Sequence, residues 1–463
     1  MRITLLGHAS VLVEMAGTTV LMDPVLGDPF EEGTVVSCPR RVIDTDQLPP
    51  IDILIVSHRH PDHFDLPSLA RIDRGVDAIC PADPLIVYAL QQLGFERIQP
   101  VHTMAPILGS DFELFPTRSE LSSIPEFGMV FRDPTGTFWN QVDTPLSNET
   151  IEAVRRHISR VDLLFAMYAS QNFEFFESRA TTFPTETHRR NLESAVCIHP
   201  AMVTPASSGF RFCGEHAWLN AFLFPISRER FVEDLRAIAP EIEATIMNPG
   251  DVFELVDGCV DHRPAASEFA RTEIDDTTRL AFDPTAPIPP LHDPNPDGHP
   301  IDYLHRVTAR LLGDELGAFT AGNEPGHERL LRAYAQHRVR YQADVVFPDG
   351  DTRWHQYRFG DGPAPVLTGR GEAPEADLVH RITASALVGW VEHARSFFSV
   401  RAWSRRRGEV YGLTRRGSEV ELEHVELPDL LMYYLLRAAP GSELGARHEV
   451  DHQLRALGAT GSV

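Results

Sequence analysis

The spacing of apolar and polar residues alternates between strand-like and helix-like stretches over the first 280 positions. A nearly continuous apolar run at residues 51–56 is typical of a strand buried in a sheet. Other short apolar runs predict strands at residues 2–6, 10–15, 18–22, 112–115, 129–132 and 162–166. Amphipathic periodicity predicts helices at residues 148–157 and 228–238. This order of elements predicts a layered α/β domain.

A proline-rich stretch interrupts the pattern at residues 283–300. Proline cannot donate a backbone hydrogen bond to a helix or a sheet, so we expect a linker between a domain at 1–282 and a second at 301–463. In the second domain the pattern predicts helices at 301–319, 328–336, 384–395 and 429–437, and strands at 338–347, 352–359, 377–383 and 398–403. These elements predict a smaller α+β module.

Charge and composition narrow the possible functions. The 463 residues include 66 Asp and Glu against 42 Lys and Arg, a formal charge of −24, and no residue is lysine. The missing amine excludes Schiff-base chemistry and a Walker-type phosphate loop. The acidic balance argues against nucleic-acid binding. No apolar run approaches the roughly 20 residues of a membrane span, and no signal-peptide pattern is present, so we expect a cytoplasmic protein.

The strongest chemical signal follows the apolar run 51–56. His58, His60, Asp62 and His63 form an HxHxDH motif, with four metal-ligand side chains in six positions. Two imidazoles two residues apart can serve one metal ion, while the next carboxylate and imidazole turn toward a second. Imidazole suits zinc, iron or manganese, and carboxylate suits harder ions, so the mixed set predicts a dinuclear centre.

This motif resembles that of the metallo-β-lactamase superfamily. With LGHAS at residues 6–10 and Asp23-Pro24 upstream, residues 1–255 are similar to the branch of N-acyl phosphatidylethanolamine phospholipase D, ascorbate-phosphate lactonase and CMP-N-acetylneuraminate hydroxylase. The resemblance implies an αβ/βα sandwich with its metals at one edge. It also assigns the first metal to His58 and His60, and the second to Asp62 and His63.

The resemblance implies further residues around the metals. Asp143, in Asn-Gln-Val-Asp-Thr, corresponds to the aspartate that bridges the two ions, although a helix N-cap is an alternative role. His8 and Asp23 correspond to positions beside the site. Asp23 is expected to accept a hydrogen bond from a ligating imidazole and to fix its tautomer, although an Asp-Pro turn would also explain it.

Two positions depart from the family pattern. Where hydrolases of the superfamily carry a third histidine, Glu120 is the nearest candidate ligand, as in the diiron β-hydroxylase of chloramphenicol biosynthesis; the alternative is a surface Glu in a turn near Glu126. Carboxylate in place of imidazole shifts the preference toward iron or manganese. The last family histidine is also missing, and His216 is the best substitute, with His188 and His199 as weaker candidates.

These features lead to two functional hypotheses. The first is a non-haem diiron oxygenase that oxidises a small metabolite with O2 and an external electron donor, with Asp62, Asp143 and Glu120 as catalytic carboxylates. The second is a hydrolase of a phosphodiester, lactone or ester that uses a metal-bridging hydroxide on zinc or another ion. In both hypotheses the substrate is expected to be an anion, because arginine side chains can grip a carboxylate or phosphate. Three arginines lie near the predicted ligands in the sequence: Arg59, Arg118 and Arg211.

The second module weakly resembles sterol-carrier-type α+β domains over residues 336–437. The resemblance implies a pocket for an apolar ligand lined by aromatic residues. The alternative is that these aromatic residues form a core, in a module that packs on the first domain or forms a homodimer interface.

Overall fold

The computed structural model describes residues 1–121, 123–169, 183–322, 326–440 and 442–458, and the chain forms two compact units. Among the described residues, the first unit comprises 1–121, 123–169, 183–286 and 453–458, and the second comprises 287–322, 326–440 and 442–452. The main division therefore lies inside the proline-rich stretch. Asp293 of this stretch accepts a 2.9 Å hydrogen bond from the backbone N–H of Ser385 in the second unit.

The first unit contains two large sheets. Its strands are β1 Arg2–Gly7, β2 Ser10–Met15, β3 Thr18–Met22, β4 Val35–Ser37, β5 Arg40–Ile43, β6 Ile53–Ile55, β7 Asp77–Pro81, β8 Arg97–Val101, β9 Ile107–Leu108, β10 Glu113–Arg118, β11 Phe127–Asp133, β12 Gly136–Asn140, β13 Leu163–Met167, β14 Met202–Ala206, β15 Phe210–Phe212, β16 Glu243–Ala244, β17 Val252–Val256, β18 Cys259–Arg263 and β19 Ala270–Ile274. One sheet has the order β18-β17-β1-β2-β3-β6-β7-β8, and the other β16-β14-β13-β12-β11-β10-β9.

The two sheets enclose an apolar core, and helices cover their outer faces. Ile55 from the first sheet and Phe131 and Phe165 from the second belong to one fully buried cluster. A separate cluster joins the outer face of the second sheet to helices. The helices are α1 Leu66–Leu69, α2 Pro84–Gln92, α3 Asn148–His157, α4 Thr185–Ile198, α5 Asn220–Leu223 and α6 Arg228–Ile238. This arrangement confirms the predicted αβ/βα sandwich.

The strand directions bring the motif residues to one edge. β1, β3 and β6 run in the same direction in the first sheet, as β10 and β12 do in the second. The segments after these strands carry the candidate ligands, and the hydrogen bond from Phe127 N–H to the Ser57 carbonyl, at 3.3 Å, joins the two sheets there. Parallel strands place the residues that follow them at a common edge, which explains how distant segments form one site.

The second unit is built on a five-stranded sheet of order β22-β21-β20-β23-β24 and a separate hairpin of β25 and β26. Its strands are β20 Arg340–Val346, β21 Thr352–Arg358, β22 Val366–Arg370, β23 Leu378–Thr383, β24 Ser404–Gly408, β25 Val410–Arg416 and β26 Glu419–Val425. Its helices are α7 Ile301–Ala309, α8 Leu316–Ala321, α9 Glu328–Gln336, α10 Ala384–Val391, α11 Phe397–Val400 and α12 Leu430–Tyr433; a last helix, α13, covers Gly445–Ala456. The unit has its own buried core and is α+β, as predicted.

One predicted element was wrong. Residues 398–403, predicted as a strand, form the end of α11 and a short 3₁₀ helix at Arg401–Trp403. The Ser396 hydroxyl accepts a hydrogen bond from the backbone N–H of Ser399 at 3.3 Å and caps the helix. This local cap outweighs the strand preference of the aromatic run. In the described part of the chain, no helix has the length and apolar character needed to cross a membrane.

Candidate metal centre

The HxHxDH loop follows β6 and folds its side chains into a compact cluster. His58 is fully buried, and its Nε2 lies 2.9 Å from His60 Nδ1. The ring centroids of His58 and His63 are 4.2 Å apart. The other nitrogen of His58, Nδ1, lies 2.9 Å from the Ser57 hydroxyl. The loop therefore gathers three imidazoles at one point, each oriented by its neighbours.

Asp23, which follows β3, holds this loop in place through hydrogen bonds. Its carboxylate accepts hydrogen bonds from the Ser57 backbone N–H at 2.7 Å and the Ser57 hydroxyl at 2.6 Å. Asp23 Oδ2 also lies 2.9 Å from His63 Nδ1. Because the carboxylate holds a proton on Nδ1, Nε2 is the nitrogen of His63 that faces other partners, a proton or a metal ion. Asp23 thus contacts an imidazole of the motif, and the role of that imidazole as a metal ligand stays a prediction.

Asp62, His8 and Asp143 surround this second nitrogen of His63. His63 Nε2 lies 3.7 Å from Asp62 Oδ2 and 3.4 Å from Asp143 Oδ2. His8, which follows β1, places its Nε2 3.2 Å from the same Asp62 oxygen. Two groups of three side chains could each hold a metal ion, because the ligand atoms within a group all lie within 4.8 Å of one another. The first group is His8, Asp62 and His63, and the second is His58, His63 and Asp143. The structure thus brings His8, predicted only as a neighbour of the site, among the possible ligands.

The backbone is strained at three corners of the cluster. His8, Asp23 and Val142 have positive φ values of 50°, 47° and 57°. This left-handed conformation is uncommon for residues other than glycine and costs most for a β-branched residue such as Val142. Val142 directly precedes Asp143, so the strained turn after β12 sets the direction of that carboxylate.

The charges in the cluster depend strongly on one another. Burial holds the pKa of His58 well below its usual range, and His63 and His60 lower it further. Burial also lowers the pKa of His63, but Asp62 and Asp143 outweigh this and raise it well above the usual value. Burial raises the pKa of Asp62, yet His63 and His8 together hold it well below its ordinary range. The cluster therefore pairs buried carboxylates with imidazoles, which is the chemistry of a cation site.

The donor set fits metal ions. His63 Nε2 is buried and has no hydrogen-bond partner among the described residues, although two carboxylates lie within 3.7 Å of it. A buried nitrogen without a hydrogen bond is costly in an apolar interior, and a metal ion held jointly with the carboxylates would use its lone pair. His8, His58, Asp62, His63 and Asp143 are the residues that would hold such ions.

A carboxylate that the sequence did not assign as a ligand also lies at this site. Glu126 immediately precedes β11 and is buried, and it accepts a hydrogen bond from the Ser119 hydroxyl. Burial raises its pKa, with Asp143 raising it and His63 lowering it, so Glu126 shares the electrostatic surroundings of the cluster. The nearest signal in the sequence is the position of Glu126 directly before β11, the strand whose first residue, Phe127, contacts Ser57 of the motif loop.

Glu120 does not take the place predicted for it. Its backbone N–H donates to the Pro145 carbonyl at 2.7 Å, so the segment lies beside the turn that carries Asp143. Its side chain, however, is exposed and pairs with Arg190 at 3.1 Å. The reason is that the neighbouring Ser119 is buried, where its hydroxyl donates a hydrogen bond to Glu126. The side chain of the next residue, Glu120, therefore points to the solvent.

The candidates for the last histidine ligand belong to neither donor group found among the described residues. His216 lies half-buried in a 3₁₀ helix at Gly214–Leu219. His188 in α4 places its Nε2 2.8 Å from Asp234 Oδ2 of α6, a hydrogen-bond contact between helices. His199 is exposed at the end of α4, with a left-handed φ of 53°.

Two of the arginines predicted to face an anionic substrate are already paired. Arg59 donates twice to Asp83, at 2.6 and 2.7 Å. Arg211 forms a buried ion pair with Asp276 at 2.5 Å. Arg118 is exposed at the end of β10. The positive charges of Arg59 and Arg211 are neutralised by Asp83 and Asp276, so neither arginine supplies an unpaired positive charge to the cluster.

Comparison with known proteins agrees with this architecture. Residues 2–108 match the model of a beta-lactamase superfamily domain. A protein of Mycolicibacterium smegmatis described as a Rieske 2Fe-2S iron-sulfur protein is 28% identical over 153 residues, 31% of this chain and 30% of that one. A metal-dependent hydrolase of Caldivirga maquilingensis is 23% identical over 257 residues, 54% of this chain and 96% of that one.

The diiron β-hydroxylase CmlA of Streptomyces venezuelae is a solved structure with similarity to this chain. The match has 18% sequence identity and a TM-score of 0.38, and it covers 53% of this chain and 52% of CmlA. The chain thus matches about half of CmlA and less than a third of the Rieske-type relative. Residues 2–108 match the beta-lactamase superfamily domain, and the two large sheets of the first unit form the αβ/βα sandwich described above.

Proposed function

We propose that the first unit is a dinuclear metalloenzyme, a non-haem diiron oxygenase that oxidises a small molecule with O2. The observation that carries the proposal is the carboxylate content of the cluster. Asp62 and Asp143 contact His63, and buried Glu126 shares their electrostatic surroundings. In the metallo-β-lactamase pattern a histidine would fill the third ligand position. We propose that Glu126 takes this position, because it is buried and acts electrostatically on the cluster, and a carboxylate there favours iron or manganese over zinc.

Each side chain of the cluster has a defined task in this proposal. Bound iron would supply the one-electron and O2 chemistry that side chains lack. Asp23 holds the Nδ1 proton of His63 and so keeps Nε2 available as a ligand. Ser57 does the same for His58 through Nδ1. Asp143 is 30% exposed, the most open of the clustered carboxylates, and marks the side on which a substrate approaches.

The electrons would come from a separate protein. The Rieske-type relative supports redox chemistry, because its described cluster is an electron carrier. The sequence has a CxH at Cys197–His199 and a CxxH at Cys213–His216, but the metal-ligand groups found among the described residues do not include these side chains. An external electron donor is therefore part of the proposal.

Hydrolysis is the second candidate, and one observation favours it specifically. The Caldivirga maquilingensis protein, described as a metal-dependent hydrolase, is matched over 96% of its length. In a hydrolase, Asp143 or Asp62 would orient the attacking water. The two candidates require different metals and different co-substrates, so one preparation can separate them.

The deciding experiment is metal analysis and absorption spectroscopy of the full chain purified from iron-supplemented cells. The oxygenase proposal predicts about two iron ions per chain, ferric charge-transfer absorption in the near ultraviolet, and O2 uptake when a chemical reductant is added. Two zinc ions, together with turnover of phosphodiester or ester substrates and no O2 uptake, would replace it with the hydrolase.

A further inference from the structure

A small cavity lies beside the metal cluster in the first unit. Most of its wall is apolar, and the segment that follows β14 closes one side. His8 belongs to both features, because it lines the cavity while its Nε2 lies 3.2 Å from Asp62. The space open to the centre of a water-sized sphere is about 20 Å³, which is room for one small polar group of a substrate and not for a whole metabolite.

The cavity has one fixed positive charge. Arg228, the first residue of α6, lines it with a side chain only 12% exposed. Its Nη1 donates to two neutral acceptors, the Met247 carbonyl at 2.8 Å and Asn248 Oδ1 at 3.0 Å. In the described residues, the carboxylate that contacts the guanidinium is Glu229, at 3.8 Å and 53% exposed. Asp275 also lies within electrostatic range, since the hydrogen bond from Thr277 lowers the pKa of that carboxyl and Arg228 lowers it further. The hydrogen bonds of Arg228 itself go to neutral acceptors, so its charge is only partly compensated, which is unfavourable for a largely buried cation.

The remaining polar groups of the wall are hydroxyls. Ser207 is buried with a φ of 62°, and its Oγ has no hydrogen-bond partner among the described residues. Ser208 and Tyr168 are also buried in the wall. No aspartate or glutamate is among the described residues that line the cavity. In a chain of charge −24, a cavity with an arginine and hydroxyls but no carboxylate is built for an anion.

We propose that this cavity binds the oxyanion end, a carboxylate or a phosphate, of a small substrate, with Arg228 as its counter-ion and Ser207 as a hydrogen-bond donor. The proposal rests on the proposed function for its orientation, because the rest of the molecule would extend past His8 toward the metal ligands. The substrate would then be a small organic acid or phosphate ester whose reacting carbon lies on the side away from its charge.

The test is isothermal titration calorimetry of the full chain with two probes, acetate and inorganic phosphate. Arg228→Gln should weaken binding of the preferred probe about 10- to 100-fold, because it removes a charge-assisted hydrogen bond in a poorly solvated site. Ser207→Ala, which leaves Arg228 and its contacts intact, should weaken binding about 3- to 10-fold. The probe that binds more tightly identifies the oxyanion as carboxylate or phosphate.

Arg236→Gln is the matched control. Arg236 lies on the same helix and donates to the Ala244 carbonyl at 2.6 Å, but it does not line the cavity. This variant should bind the probes as the unchanged chain does. Unaltered binding in both Arg228→Gln and Ser207→Ala would overturn the proposal, and so would an equal loss in Arg236→Gln.

Metal content, measured in every variant, separates this proposal from the proposed function. If the chain contains zinc and takes up no O2, but the two cavity variants still lose the probe, the diiron proposal fails and the anion site stands. If iron and O2 uptake are found while the cavity variants bind normally, the anion site alone fails.

Discussion

Replacing Asp23 tests whether the metal ligands depend on the hydrogen bonds beneath them. Asp23→Asn preserves the shape of the side chain but removes its charge and replaces one acceptor oxygen by a donor. In the structure all three contacts of this carboxylate involve donors: the Ser57 N–H, the Ser57 hydroxyl and His63 Nδ1. In the asparagine variant the NH2 group replaces one of the two oxygens. At least one of these donors therefore faces the NH2 group and loses its acceptor.

The size of the effect follows from these contacts. Asp23 is fully buried, so a donor left without a partner costs about 1–3 kcal/mol, and loss of the charge weakens the remaining hydrogen bonds. We expect the free energy of unfolding to fall by about 2–4 kcal/mol. Because His63 loses the group that fixes its tautomer, metal affinity should fall about 10- to 100-fold.

The assay is competition for the metal between the protein and a chromophoric chelator, together with urea unfolding. Asp251→Asn is the matched control, because Asp251 is also buried and accepts three hydrogen bonds: from Asn248 N–H at 2.9 Å, Ala265 N–H at 2.8 Å and His262 Nε2 at 3.1 Å. The control should lose stability but keep its metal affinity. Unchanged metal affinity in Asp23→Asn, or an equal loss in Asp251→Asn, would refute the reasoning.

Three further predictions concern other parts of the chain. Glu126→Gln should lower metal content, whereas Glu120→Gln should leave it unchanged, because only Glu126 is buried beside the cluster; elemental analysis of both variants decides this. Burial, with Arg353 nearby, lowers the pKa of His355 from 6.5 to about 4, so the unfolded chain binds this proton more tightly and stability falls as pH drops from 6.5 toward 4. Urea unfolding at pH 7 and pH 5 should show a loss about 2 kcal/mol larger for the unchanged chain than for His355→Gln; equal losses would contradict the burial of this imidazole. Arg211→Met should lower the free energy of unfolding by about 3–5 kcal/mol, because it leaves the buried Asp276 carboxylate without its partner; a loss below 1 kcal/mol, measured by urea unfolding, would show that water compensates this charge.

The sequence predicted the sandwich well because the relevant signals are local. β2, β3, α3 and α6 begin and end where the apolar periodicity predicts. The caps agree with the pattern, since Ser147 and Ser227 each accept a hydrogen bond from the backbone at the start of α3 and α6. Within the site, the residues of the motif stand together because they follow a single strand, β6.

Contacts between distant segments were harder to predict. His8 is near Asp62 because β1 and β6 run in the same direction in one sheet, a fact that depends on the order of strands between them. The cavity arginine, Arg228, lies at the start of a helix whose position depends on both the second sheet and the turn at Met247. No spacing in the sequence indicates either contact.

The wrong prediction for Glu120 shows that the strand pattern predicts the direction of side chains only inside the strand. Inside β10, alternation of side chains fixes which residues face the core, and this holds as far as Arg118. Beyond the strand end, direction depends on whichever polar contacts the turn can form. The Ser119 hydroxyl bonds to Glu126 and Glu120 pairs with Arg190, which is seventy positions away. Pairing of β10 with β11 brings the two ends of this turn together, so the carboxylate that reaches the site is the one at the start of the next strand.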